Sequence, residues 1–259
     1  MECQDTIKSL KINIKKKINT IVLIVEGSNY EFSLFNQIFR KLLHYKLVTK
    51  SRNQNEFKEY NEFVMKDNIN QRVIVINTKN SNIGSISDDD EYRNELYKML
   101  YEKYSLDIKN VPVYYIWDRD NKSNKAELVE RLIKKINNAY GNDEFENGLL
   151  LLSYPCIESY TISCFEKDKK FVDENIKDYI KSKNYNINQI DKYKIQRATL
   201  EMIKQLKSLG IDNFDIDEIK SINLDAFKKQ EKNYKKYEKY VLLSFVSFIL
   251  LDQGIITFR

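Results

Sequence analysis

Apolar residues in this chain fall into short continuous runs separated by amphipathic stretches. Thr20-Ile21-Val22-Leu23-Ile24-Val25 is apolar and largely β-branched, the pattern of a strand buried on both faces. It stops at Glu26-Gly27-Ser28-Asn29. Phe32, Phe35, Ile38, Phe39 and Leu42 then follow at helical spacing, which predicts a helix over Tyr30 to Leu43 with Ser28 or Asn29 as N-cap and Glu31 in its first turn. Arg72 to Ile76 predicts a second buried strand. A polar loop, Asn77 to Asp90, leads to a helix over Glu91 to Tyr104. Pro112 opens a third strand, Val113 to Trp117, ended by Asp118-Arg119-Asp120. A helix over Ala126 to Tyr140 and a fourth strand, Leu149 to Ser153, complete the alternation.

Strands alternating with helices predict a parallel sheet with right-handed crossovers, a Rossmannoid α/β fold flanked by helices. After about Glu166 no further strand is evident. Helices are expected near Phe171–Ser182, Lys192–Leu209 and Leu224–Leu251. The expected organisation is a basic leader (1–18) holding a short edge strand, an α/β domain (19–165) and an α-helical C-terminal appendage (166–259). The run Val241 to Leu251 covers about half of the roughly 20 residues that cross a bilayer, so it reads as a buried core helix or an oligomer interface, with no membrane association expected.

Composition narrows the chemistry. The 259 residues are 42% hydrophobic and 31% charged, as in a folded globular protein, and the net charge of +5 permits a polyanionic partner without requiring one. Cys3, Cys156 and Cys164 have no C-x-x-C spacing and suggest reduced thiols in a cytoplasmic protein. The six glycines form no phosphate-cradling or dinucleotide fingerprint, and His44 is the sole histidine. Nucleophilic triads and His-rich zinc sites are thereby disfavoured, which leaves carboxylate chemistry.

Acidic residues do stand past the expected strand ends: Glu26 after the first, Asp118 and Asp120 after the third, and Glu158 soon after the fourth. In open parallel sheets ligands bind in the crevice at those ends. One to three carboxylates there suffice for Mg²⁺, which keeps several of its waters. Gly27 permits a sharp turn beside Glu26. Each acid alone is also an ordinary turn former or cap; the joint order is what distinguishes them. Arg119, Lys122 and Lys125 are candidates for phosphate contacts, or else belong to a solvated loop and first helical turn. Asp88-Asp89-Asp90-Glu91 reads as a helix start. The Lys228–Lys239 segment reads as a solvated helix face or a nucleic-acid contact, and His44 as structural.

Val25-Glu26-Gly27, a following helix, and Ile116-Trp117-Asp118-Arg119-Asp120 at a strand end together resemble the Toprim domain of topoisomerases, primases, recombination proteins and overcoming-lysogenization-defect nucleases. The resemblance covers about Ile21 to Ile162. It implies that Glu26 acts as general acid/base or metal ligand, and that Asp118 and Asp120 hold Mg²⁺, with Mn²⁺ as a substitute. Tyr154-Pro155-Cys156-Ile157-Glu158-Ser159 is similar to the Pro-x-x-Glu element of stand-alone Toprim effectors in antiphage systems of the PARIS type, which implies an accessory role for Glu158 beside that of Gly27 in the turn after Glu26. No ABC-type ATPase lies on this chain. The resemblance therefore implies a separate ATPase partner chain, a homo-oligomer, and a toxic endonuclease acting on RNA, transfer RNA included, rather than DNA. The alternative it leaves open is a non-catalytic Toprim binding module of the recombination-mediator type.

Overall fold

A computed structural model describes residues 10–14, 16, 18–27, 29–52, 59–66, 68–77, 94, 97, 98, 100–102, 111–119, 124–141 and 148–258, with backbone alone at 49–52, 59 and 69. It is a mixed α/β protein with a mostly parallel central sheet flanked by helices. The elements in order are β1 (Leu10–Ile12), β2 (Ile21–Val25), α1 (Tyr30–Phe35, continued by a π-helix Asn36–Leu42), β3 (Lys46–Arg52), β4 (Glu59–Met65), β5 (Asn68–Asn77), β6 (Val113–Asp118), α2 (Ala126–Lys135), β7 (Asn137–Asn138), β8 (Gly148–Tyr154), α3 (Glu158–Phe165), α4 (Ile176–Ser182), α5 (Lys192–Ser208), α6 (Ile219–Tyr237), β9 (Leu243–Ser244), α7 (Val246–Asp252) and β10 (Ile256–Phe258).

The four continuous apolar runs form the parallel heart of the sheet, in spatial order β5-β2-β6-β8. All five residues of β2 are buried because strands pair on both sides and helices cover the faces. The Leu-rich β8 is equally buried, tertiary context overriding the helical preference of leucine. From β2 the chain goes next to β5 on one side, whereas β6 lies on the other and leads on to β8. The order in which strands are added thus reverses between β2 and β6, the topology that opens a crevice at their carboxyl ends.

Three features depart from the sequence pattern. β3 and β4 add an antiparallel edge to β5, in a stretch whose mixed polarity carries no clean alternation. The expected single helix through Leu251 is interrupted. It ends at Glu238, which adopts a left-handed conformation (φ 54°), and the chain turns back through β9, which pairs with β8. Finally, β1 pairs antiparallel with β10, so the basic leader and the C-terminus share one ribbon. Many buried residues of 166–258 share one hydrophobic cluster with the sheet, and Ile176, Tyr179 and Leu242 pack with Ile162 in a smaller one. The expected helix over Glu91–Tyr104 falls largely outside the described residues, as does the acidic run Asp88–Glu91.

Gln230 secures the turn after α6. Its buried side-chain amide donates to the carbonyl of Val241 at 2.8 Å and accepts from the Val241 N–H at 2.9 Å. Gln230→Ala leaves two buried backbone groups unpaired, at about 1–3 kcal/mol each. The expected loss is about 2–4 kcal/mol, read as a lower denaturation midpoint at unchanged m-value. A loss below about 0.5 kcal/mol would refute this account of the turn.

Candidate functional site

β2 and β6 pair in parallel with Val25 opposite Ile116, and the crevice between their ends receives Glu26 and Asp118. Glu26 Oε2 accepts a hydrogen bond from the Asp118 backbone N–H at 2.9 Å, across 92 residues of sequence. Asp118 Oδ1 in turn accepts from the N–H of Ile157 at 2.7 Å, the residue just before α3. A carboxylate suits that position, because the first N–H groups of a helix have no partner within it.

Glu158 and Glu31 complete the cluster. Glu158, buried at the start of α3, lies close enough to raise the proton affinity of both Asp118 and Glu31. Glu31, from the first turn of α1, reaches back so that its Oε1 accepts the Gly27 N–H at 3.0 Å. A Cβ at Gly27 would lie 2.6 Å from both Glu31 carboxylate oxygens, so a side chain there would displace the Glu31 carboxylate from its bond to the Gly27 N–H. Lys177 of α4 approaches Glu158 Oε1 at 3.6 Å, and that carboxylate holds its ammonium above the usual lysine range.

The electrostatics are those of crowded anions. Burial pushes Asp118 well above the ordinary aspartate range, and the neighbouring Glu26 and Glu158 push it further, against the bond from Ile157. Burial likewise raises Glu31, with Glu158 adding to the rise and the Gly27 bond and Lys177 opposing it. Cys156, beside them, is pushed up by burial and by Glu158 and Asp118, so it remains a neutral thiol at neutral pH. A cavity of about 390 Å³ opens from this edge, walled by Asp118, Cys156, Lys177, Tyr234 and Lys239.

The expected site residues are thus placed unequally. Glu26, Gly27, Asp118 and Glu158 come together. Asp120 and Lys122 lie outside the described residues. Lys125 is exposed at the N-cap of α2, away from these hydrogen bonds. Arg119 does not offer itself to a phosphate: it is 2% exposed, and its guanidinium is paired with Glu231 of α6. His44 is exposed in a left-handed turn (φ 60°) after the π-helix. Sequence reasoning treated Glu31 as a helix-start acid only and passed over Lys177. Glu31 stands five residues after Glu26, and this spacing across a glycine turn was the available signal.

Whether a divalent ion suits this place is a question of donor type. Among the described residues no three His, Cys, Asp or Glu side chains form a ready-made metal cluster. The donors are nevertheless oxygen, anionic, partly desolvated and mutually repelling, which is the chemistry that a hard cation relieves. Mg²⁺ needs few protein ligands beyond its waters. Glu26 and Asp118 would hold it. No helix among the described residues is long and apolar enough to cross a membrane. The chain matches no protein-family model, no curated protein and no solved structure.

Without a cation, the repulsion predicts a pH dependence. Between the ordinary glutamate value near 4.5 and its raised native value, Glu31 keeps a proton that the unfolded chain has lost. The native state then binds more protons, so stability falls as pH rises through that window. In chelator, melting temperature should decline as pH rises above the ordinary glutamate value. Glu31→Gln should flatten the decline and melt about 2–4 °C higher at pH 8. An identical slope in the variant would refute this.

Proposed function

We propose that this protein is a Mg²⁺-dependent endonuclease that cuts nucleic-acid phosphodiesters, RNA in preference to DNA. The observation that carries the reading is the contact of the Glu26 carboxylate with the Asp118 backbone at the point where the sheet order reverses. Two acids are thereby held at one crevice, in a cluster whose raised proton affinity is characteristic of functional sites.

In this reading Asp118, steadied by the Ile157 N–H, presents its carboxylate to the ion. Glu26 takes the proton from the attacking group, a water or the ribose 2′-hydroxyl. An ion held by Glu26 and Asp118 would supply polarisation of the phosphoryl oxygens and charge balance at phosphorus. Lys177, at the cavity wall and paired with the buried Glu158, is exposed enough to meet a phosphate. The sequence motifs alone extend the proposal to a toxic effector of antiviral defence, transfer RNA as a target, a homo-oligomeric assembly and a separate ATPase chain as partner.

A second reading, a non-catalytic binding module, is favoured by one observation. Oxygens of Glu26, Asp118 and Glu31 already accept backbone N–H bonds, as scaffold acids do. The two readings separate on labelled transfer RNA and plasmid DNA, with Mg²⁺, Mn²⁺ or chelator. The enzyme should cleave RNA with either metal and stop in chelator. Glu26→Gln should lower the rate at least about 100-fold while the melting temperature is kept. Cleavage that survives the chelator or the substitution would overturn the metal mechanism, and absence of wild-type cleavage on any substrate would favour the binding module.

A further inference from the structure

The residue between the two aspartates of Asp118-Arg119-Asp120 is the most constrained cation near the crevice. The Arg119 N–H donates to the Ser153 carbonyl at 2.8 Å, continuing the β6–β8 ladder. Nε donates to Glu231 Oε1 at 2.8 Å and Nη2 to Glu231 Oε2 at 3.1 Å. Nη1 donates to the Asn124 carbonyl at 3.1 Å. The rings of Phe227 and Tyr240 lie 5.7 and 5.9 Å from the guanidinium carbon, and the Tyr240 hydroxyl donates to Glu231 Oε1 at 3.0 Å.

A buried ion pair of this kind is a poor source of stability. Desolvating both charges offsets most of their attraction, and apolar residues of similar volume often serve as well. What it does supply is direction. A bidentate guanidinium–carboxylate fork fixes both distance and angle. Here the fork is anchored on α6 and held one peptide away from Asp118. The same guanidinium also holds the Asn124 carbonyl, two residues before α2.

We infer that Glu231 is a positioning residue for the carboxylates of the crevice: through Arg119 it ties the end of β6 and Asn124 to the C-terminal helix. This rests on the reading that Asp118 holds a divalent ion. It gives α6 a role that the basic character of its exposed face does not suggest, since the working contact is an acid on the opposite, buried side. Partners that orient metal ligands from behind typically govern metal affinity about 10–100-fold.

The test is Mn²⁺ binding to the full chain, followed by the electron paramagnetic resonance of the free ion, with RNA cleavage measured alongside. Glu231→Gln should bind Mn²⁺ about 10–100-fold more weakly, and its cleavage should recover toward wild type at saturating Mn²⁺. Because that variant strands a buried guanidinium and is at risk of unfolding, the double variant Arg119→Met, Glu231→Leu is measured as well. It removes both charges, so it should keep the wild-type circular dichroism and melting temperature yet show the same weakened Mn²⁺ binding. A folded double variant that binds Mn²⁺ within twofold of wild type would overturn the positioning role while leaving the metal reading intact. Wild-type protein that binds no Mn²⁺ would overturn the metal reading and this inference with it.

Discussion

The site depends on the parallel pairing of β2 with β6. Both strands are apolar and buried up to their carboxyl ends, so a slip in register would draw a terminal carboxylate toward the core or push apolar side chains out of it. With Val25 opposite Ile116, Glu26 just after β2 and Asp118 at the end of β6 emerge at the same edge, and the Glu26 carboxylate grips the Asp118 backbone. The crevice follows from the order of the strands, because β5 and β8 lie on opposite flanks of the central pair.

Around that pairing the molecule tolerates an electrostatically unfavourable arrangement. Glu26, Glu31, Asp118 and Glu158 approach one another at a partly desolvated edge, and burial and mutual repulsion raise the proton affinity of Asp118 and Glu31. Backbone N–H groups of Gly27, Asp118 and Ile157 hold the oxygens in place, and Lys177 supplies opposite charge. Conflict between local electrostatics and stability is expected where function has shaped a site.

The C-terminal third is part of this construction. β9 extends the sheet beside β8, Gln230 locks the return of the chain, and Glu231 with Tyr240 encloses Arg119. The chain reversal at Glu238 brings Tyr240 back over the guanidinium, whereas an uninterrupted helix would carry it away. The fold that presents the carboxylates therefore extends well beyond the α/β half that the motifs mark out.

The sequence by itself determined the four buried strands, the α/β class and the emergence of Glu26 and Asp118 at strand ends, because continuous apolar runs and abrupt polar stops are local signals. It did not reveal β3, β4, β9 or β10, whose residues are short, mixed in polarity or helix-like until a neighbouring strand selects them. Only the tertiary structure decided that Arg119 turns inward to a carboxylate 112 positions away, that Glu31 and Lys177 join the acidic edge, and that leader and C-terminus pair. Those outcomes hang on which distant group meets a side chain, and the spacing of residues along a chain does not encode the direction in which a long polar side chain finds its partner.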